Sequence, residues 1–240
     1  MAAAARKSDL AVRTASAVVM LAVAGTALWM GGTVFTFFVA LIAFLVVLEW
    51  RNIVVRFPDS EFAKGVWMAI GGIYAAFGCA AVLLLHDKML FIPVLAAVIG
   101  TDIGAYFAGR IIGGPKIAPA ISPSKTWAGL FGGMAGAAAV LTVALLFVGT
   151  PKMTGGAIVM RNELGFLVHT GALLALTIPI GASLAVVAQA GDFFESWMKR
   201  RAGVKDSGTL IPGHGGMFDR VDGLLAAAIF AFILQRAFMP

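Results

Sequence analysis

Apolar residues run along this chain in long blocks separated by short polar segments, with no residue-by-residue alternation of the kind a half-buried strand shows. The blocks are Ala15–Met30, Thr33–Leu48, Val66–Leu85, Leu90–Gly109, Trp127–Val148, Leu164–Ala190 and Gly223–Phe238. Each approaches or exceeds the roughly 17 residues a helix needs to cross a bilayer core of about 30 Å. Gly31-Gly32 reads as a tight turn between the first two spans. Glu49–Lys64, His86–Lys88, Arg110–Lys125, Pro151–Glu163 and Ser196–Asp222 read as loops between the others. The pattern therefore predicts an all-α, polytopic membrane helical bundle of about seven spans. Short or re-entrant segments, above all around Ala157–Leu176, would raise that count.

Composition sharpens the prediction. Of the 240 residues, 60% are hydrophobic and mean hydropathy is +0.96, against about 45–50% apolar in soluble domains. One water-soluble core cannot hide that excess, so the outer surface must itself be apolar. Gly/Ala-rich blocks without a ten-residue alternating pattern exclude a membrane β-barrel and leave helices to satisfy the backbone in lipid. The short segment Met1–Arg13, with Arg6, Lys7 and Arg13, has the look of a signal peptide. The block behind it is long enough to span, and is read as a retained first helix. Cys79 is a small core residue and excludes an internal disulfide.

Charge then gives a sidedness. With the N-terminus cytoplasmic, fourteen of the eighteen Lys and Arg residues fall in cytoplasmic segments, and only Lys88, Lys152, Arg161 and Arg236 fall outside. That is the bias of the positive-inside rule. It accounts for the net charge of +6 without a nucleic-acid partner, for which there is no soluble basic domain. The Gly132/Gly136 spacing is of the small-xxx-small type that lets helices pack closely.

Within this oily chain, only 12% of residues are charged, yet Ser196–Asp222 holds eight: Lys199, Arg200, Arg201, Lys205, Asp206, Asp219, Arg220 and Asp222. If the sixth helix runs on past its apolar block, Asp192, Glu195, Ser196 and Lys199 form one stripe at i, i+3, i+4 and i+7. Asp219 and Asp222 share a face where the last helix begins. Between them Pro212, Gly213, Gly215 and Gly216 bracket His214, a tight turn with amides open to an anion. Carboxylates from two helix ends, a Gly-rich turn and nearby cations suit a magnesium-bound polyphosphate, because magnesium takes one or two carboxylates and keeps water and phosphate oxygens elsewhere.

Two further features point the same way. Asp102, Tyr106 and Arg110 lie at i, i+4 and i+8 on the fourth span, and an ionisable group near a membrane interior is a functional candidate, the alternative being a structural partner for Arg110 or another helix. Ile121–Thr126 leads into the fifth span, where Ser122 or Ser124 would cap the helix and Lys125 would attract a phosphate. Glu49 is open between a functional role and pairing with Arg51 or a neighbouring helix. His86 and His169 lack spaced partners for a metal site. No Ser-His-Asp arrangement, Walker loop or dinucleotide fingerprint is present.

The segment Ser196, Lys199-Arg200, Lys205-Asp206, Pro212, His214-Gly215-Gly216, Asp219-Arg220-Val221-Asp222 resembles, without departure over its 27 positions, the signature of the phosphatidate cytidylyltransferases (CDP-diacylglycerol synthases). Thr101–Tyr106 with Gly109-Arg110 is similar to that family's Asp-x-Gly-Ala-Tyr segment. Ile121–Trp127 is similar to its Ser-Pro-Lys-Lys-Thr segment, departing at Ser124, where a second Lys is common, and at Ala128, where a Glu is. The likeness covers the C-terminal 140 residues, so residues 1–90 read as N-terminal membrane helices and 91–240 as a catalytic membrane domain with cytoplasmic loops 110–125 and 191–222.

The resemblance implies transfer of CMP from CTP to phosphatidic acid, giving CDP-diacylglycerol and pyrophosphate for phospholipid biosynthesis. It places a multi-pass enzyme in the plasma (inner) membrane with a cytoplasmic active site, and it implies Mg2+, with room for a second cation. Asp192 and Asp219 are then expected to hold the metal, with Asp222 as a further carboxylate. Lys199, Arg200, Lys205 and Arg220 would stabilise the reacting phosphates. Ser122 and Lys125 would hold a headgroup or nucleotide phosphate, Asp102 would line the cavity, and Ser196, His214, Gly215 and Gly216 would complete the substrate site. Small-residue helix faces permit a homodimer, which the resemblance also suggests. The alternatives are a CTP-dependent transferase acting on another lipid phosphate or polyprenol, and a lipid or ion transporter. A transporter predicts acids spread through several spans and internal pseudo-symmetry, and the chain has few such acids and no clear repeat.

Overall fold

The computed structural model describes residues 2–87, 90–148 and 163–238, with backbone alone for 2–10, 145–148 and 163–173. The expected loop Pro151–Glu163, with Lys152 and Arg161, lies almost wholly outside the described residues, as does Lys88. Seven helices follow in chain order: α1 (Ala2–Met30), α2 (Gly32–Val54), α3 (Glu61–Asp87), α4 (Phe91–Ile111), α5 (Trp127–Val148), α6 (Glu163–Arg201) and α7 (Phe218–Phe238). All seven are long and apolar enough to cross a membrane, and the described residues contain no β-strand. The chain is a multi-pass membrane helical bundle.

The elements extend beyond the apolar blocks. α1 begins at Ala2 rather than Ala15, because Ala, Arg, Lys and Leu are good helix formers and nothing in the segment breaks the helix. α6 runs unbroken for 39 residues, about 58 Å at 1.5 Å per residue, nearly twice a hydrocarbon core of about 30 Å. Its last turns, from Asp192 onward, therefore overhang the apolar block and carry the polar stripe as one rigid rod.

Glycine sets the closest helix contacts. α4 and α5 cross at Gly100 and Gly104 against Gly132 and Gly136. A Cβ on Gly100 would stand 2.9 Å from the Gly136 carbonyl, and one on Gly132 2.6 Å from the Gly104 carbonyl. The two backbones touch, which only small residues allow. α6 and α7 cross in the same manner: Gly191 backs onto the Asp222 carbonyl, and Gly223 onto the Ala188 carbonyl and the Asp192 carboxylate. Thr142 of α5 and Thr177 of α6 share a hydroxyl–hydroxyl hydrogen bond of 2.6 Å.

Two apolar cores result. One gathers α2, α3, α6 and α7 around the buried Trp50, Phe218 and Met198, continuous across residue 90, and contains Cys79. The other joins α4, α5, α6 and α7 through alanines and Leu141 and Leu184. Large apolar side chains that lie outside these cores, among them Leu21, Trp29, Phe37, Ile73 and Phe131, are exposed, as a lipid-facing surface requires.

The alternate connections all reach one end of the bundle. Ser16 of α1 donates to the Pro212 carbonyl (2.9 Å) in the α6–α7 segment. Arg201 at the end of α6 binds both oxygens of Asp59 in the α2–α3 loop (2.7 and 2.9 Å) and lies over the rings of Phe57 and Trp197. Arg200 Nε donates to the Ile121 carbonyl (3.4 Å) in the α4–α5 segment. These contacts gather the polar segments into a single layer over the helix ends.

Candidate active site

The site is built where α6 and α7 cross. Close approach at Gly191 and Gly223 brings the Asp222 carboxyl within hydrogen-bonding reach of Asp192. One turn further along α6, Glu195 lies beside Asp219. Four carboxyl groups thus face each other across two helices, and two lysines enter among them. Lys199 Nζ is 2.5 Å from Glu195 Oε2 and 2.6 Å from Asp219 Oδ1. Lys125, from the α4–α5 segment, pairs with Asp192 and lies over the Phe193 ring. Glu195 is only 1% exposed, so any charge it carries must be matched inside the protein.

Lys125 is placed by the segment that carries it. Ile117 N–H donates to the Lys125 carbonyl and Trp127 N–H to the Pro115 carbonyl, both at 3.1 Å, folding 115–127 back on itself. The α5 cap is Thr126, whose Oγ1 accepts from Gly129 N–H at 3.0 Å. Neither Ser122 nor Ser124 serves: the capping position immediately precedes the first helical residue, and α5 begins at Trp127. Ser122 is half-buried in a turn closed by its own amide on the Ala118 carbonyl, in the same short segment as Lys125. Asp102, on the exposed face of α4, is close enough to Asp192 and Lys125 to interact with both charges. Its neighbours on the i+4 spacing do not pair with it: Tyr106 packs edge-on against Phe107.

The turn before α7 is tight, with Gly213 and Gly215 at φ of +75° and +82°, a region that favours glycine. Its amides are less open to an anion than their spacing suggests. Gly216 N–H donates to Asp219 Oδ2 (2.8 Å), while Met217 N–H and Phe218 N–H donate to Glu49 (both 2.8 Å). Internal carboxylates have taken the positive end of α7, where they are most stabilised. The His214 carbonyl accepts from Arg220 at 2.9 Å, and His214 Nδ1 is buried with no partner among the described residues.

Not every predicted residue joins the carboxylate cluster. Lys205, Arg200 and Arg220 are exposed, with Arg200 and Arg220 donating to the Ile121 and His214 carbonyls, and Ser196 is half-buried on α6. Arg201 is committed to Asp59 and the aromatic pair. Glu49, left open by the sequence, belongs to the surroundings, as do three residues beyond the sequence-predicted set: Ser207, Tyr74, whose hydroxyl donates to the Asp222 carbonyl at 3.3 Å, and Gln189. Gln189 lies three residues before Asp192 on the same stripe, and its Nε2 is buried without a partner among the described residues. A lone amide in an apolar helix block is a readable signal; nothing local marks Tyr74 or Ser207.

The arrangement suits a bound cation and a polyphosphate. Four carboxyls outnumber the two ammonium groups among them, so full ionisation of the cluster calls for further positive charge, which a divalent ion would supply. No group of three or more His, Cys, Asp or Glu side chains is disposed around a single ion position among the described residues, and magnesium does not demand one.

Residues 67–238 match the model of the cytidylyltransferase family. The chain belongs to that family. Among curated members, the phosphatidate cytidylyltransferase of Brucella melitensis is 41% identical over 207 residues, covering 84% of this chain and 65% of its own length. That of Pseudomonas aeruginosa is 37% identical over 212 residues, covering 80% and 69%. The Rickettsia bellii enzyme of the same name is 29% identical over 238 residues, covering 98% and 94%. The chain thus spans just under two thirds of the length of the Brucella protein and nearly all of the Rickettsia one. Glu49 lies outside the stretch that the family model matches.

Proposed function

We propose that the protein transfers CMP from CTP to phosphatidic acid, releasing pyrophosphate and forming CDP-diacylglycerol. The observation that carries this reading is the Asp192–Glu195–Asp219–Asp222 cluster with Lys125 and Lys199 inserted, at one polar end of a membrane bundle, in a chain of the cytidylyltransferase family. The charge bias of the loops supports a cytoplasmic location for that end, where CTP is available.

In this reaction a phosphatidate oxygen attacks the α-phosphorus of CTP. The new P–O bond forms as the bond to the β-phosphate bridging oxygen breaks, and pyrophosphate leaves with that electron pair. The nucleophile is already anionic, so catalysis is mainly positioning and charge neutralisation. Asp192 and Asp219, with Asp222 behind them, are the residues that would hold magnesium, which supplies charge neutralisation for the phosphates when bound. Lys125 and Ser122 stand where a lipid or nucleotide phosphate would approach from the α4–α5 side. Lys199 sits between Glu195 and Asp219, ready to turn one N–H toward the reacting phosphate. Arg200, Lys205 and Arg220, exposed on the segments that carry the cluster, would draw the polyanion in. Asp102, within reach of the charges on Asp192 and Lys125, would border the site on the α4 side.

The test is purified protein with labelled CTP, magnesium and phosphatidic acid. Labelled lipid is expected from wild type, and none above background from Asp219→Asn that remains folded. Transfer to a polyprenol phosphate in place of phosphatidic acid would reassign the acceptor. Near-normal turnover by Asp219→Asn would sink the metal assignment.

A further inference from the structure

Glu49 is a carboxylate buried to 6% exposure on α2, and no Lys or Arg pairs with it among the described residues. An unpaired buried charge is costly unless hydrogen bonds meet it. Here Oε1 accepts from Met217 N–H, and Oε2 from Phe218 N–H and the Ser207 hydroxyl, each at 2.8 Å. Two of these donors are amides at the positive end of α7, which adds stabilisation of the same sign.

The same Ser207 hydroxyl stands 3.0 Å from Asp219 Oδ2. It has one proton, so Glu49 and Asp219 compete for it. Asp219 Oδ2 is further held by Ser207 N–H (3.0 Å) and Gly216 N–H (2.8 Å), and its other oxygen faces Lys199. One oxygen of Asp219 is thus fixed by the α6–α7 segment while the other points into the site. Ser207 and Gly216, which do the fixing, are packed directly against Glu49: a Cβ at Gly216 would overlap both the Ser207 hydroxyl and the Glu49 carboxylate. Gly208 backs onto Glu49 in the same way.

We propose that Glu49 is a positioning residue for Asp219, acting through Ser207 and the first amides of α7 to set the direction and hydrogen bonding of that carboxylate. This rests on the reading that Asp219 holds the cation and phosphates. It makes α2, which contributes nothing else to the carboxylate cluster, part of the functional unit.

The experiment compares wild type, Glu49→Gln, Ser207→Ala and Asp219→Asn in detergent. Three quantities are measured: thermal midpoint, kcat and KM for CTP with phosphatidic acid, and binding of Mn2+ alone by electron paramagnetic resonance. Loss of an outer partner of a metal-holding carboxylate costs about ten- to a hundred-fold in metal affinity or activity. Glu49→Gln and Ser207→Ala are expected to lose kcat and Mn2+ affinity in that range, with KM for phosphatidic acid changed less than about threefold, the split that separates positioning from substrate binding. A folded Glu49→Gln with wild-type kcat and Mn2+ affinity, beside an inactive Asp219→Asn, overturns the inference and leaves the proposed function standing. If Glu49→Gln does not fold, Ser207→Ala decides alone by the same two readouts. An active Asp219→Asn strikes the underlying assignment instead.

Discussion

Lys199 allows structural and chemical roles to be pulled apart. It bridges Glu195 at 2.5 Å and Asp219 at 2.6 Å, with side-chain exposures of 12%, 2% and 7% for the three groups. Lys199→Met removes the cation, keeps an unbranched stem of similar shape, and leaves two buried carboxyls facing each other. Breaking a buried pair from one side costs about 3–5 kcal/mol, because the remaining charge is uncompensated. The residual exposure of Lys199 and the backbone and hydroxyl donors on Asp219 place the expectation near the lower end, about 3 kcal/mol. The double variant Glu195→Gln/Lys199→Met removes one of the two carboxylates and should recover about half of that loss, since Glu195 has the fewer remaining donors.

Unfolding in mixed micelles can be followed by tryptophan fluorescence, because Trp50, Trp67 and Trp197 lie in the aromatic cluster beside the site. CMP transfer is expected to be lost in both variants. Stability that recovers while activity does not would show that the Lys199–Glu195 pair is needed for the chemistry beyond its part in folding. A single variant as stable as wild type would refute the premise that this triad is a buried, mutually dependent ion cluster.

Three other outcomes are expected. Gly136→Leu should prevent α4 and α5 from closing, because that backbone lies against the Gly100 carbonyl; overpacking costs at least about 1–3 kcal/mol, seen as a lowered thermal midpoint. Thr126→Ala removes the α5 cap at a cost of about 1 kcal/mol and should raise KM for phosphatidic acid, since the capped turn carries Lys125. Arg201→Ala should lower stability by less than about 1 kcal/mol, because its pair with Asp59 is partly exposed, while steady-state turnover stays near wild type.

Much of this protein was legible along the chain. Apolar blocks long enough to span a bilayer have no stable alternative to helices in lipid, so the seven helices of the described residues and their order match the blocks read from the pattern. The stripe Asp192, Glu195, Ser196, Lys199 was equally legible, because a 3.6-residue period puts those positions on one face as soon as α6 is continuous. The Gly132/Gly136 spacing announced a close contact, though not that its partner would be Gly100 and Gly104.

Long-range pairing was decided only by the tertiary structure. Hydropathy records that Glu49 is an acid at a helix end; it cannot say that three donors 158 to 169 residues away will converge on it. Likewise the Gly-rich turn reads as an anion site until Glu49 and Asp219 are seen to occupy its amides, and Ser122 reads as a cap until α5 starts at Trp127 directly after Thr126. Periodicity and hydropathy are properties of neighbours in sequence. Which charge meets which depends on the crossing of α6 and α7 at Gly191 and Gly223, and on the space those missing side chains leave.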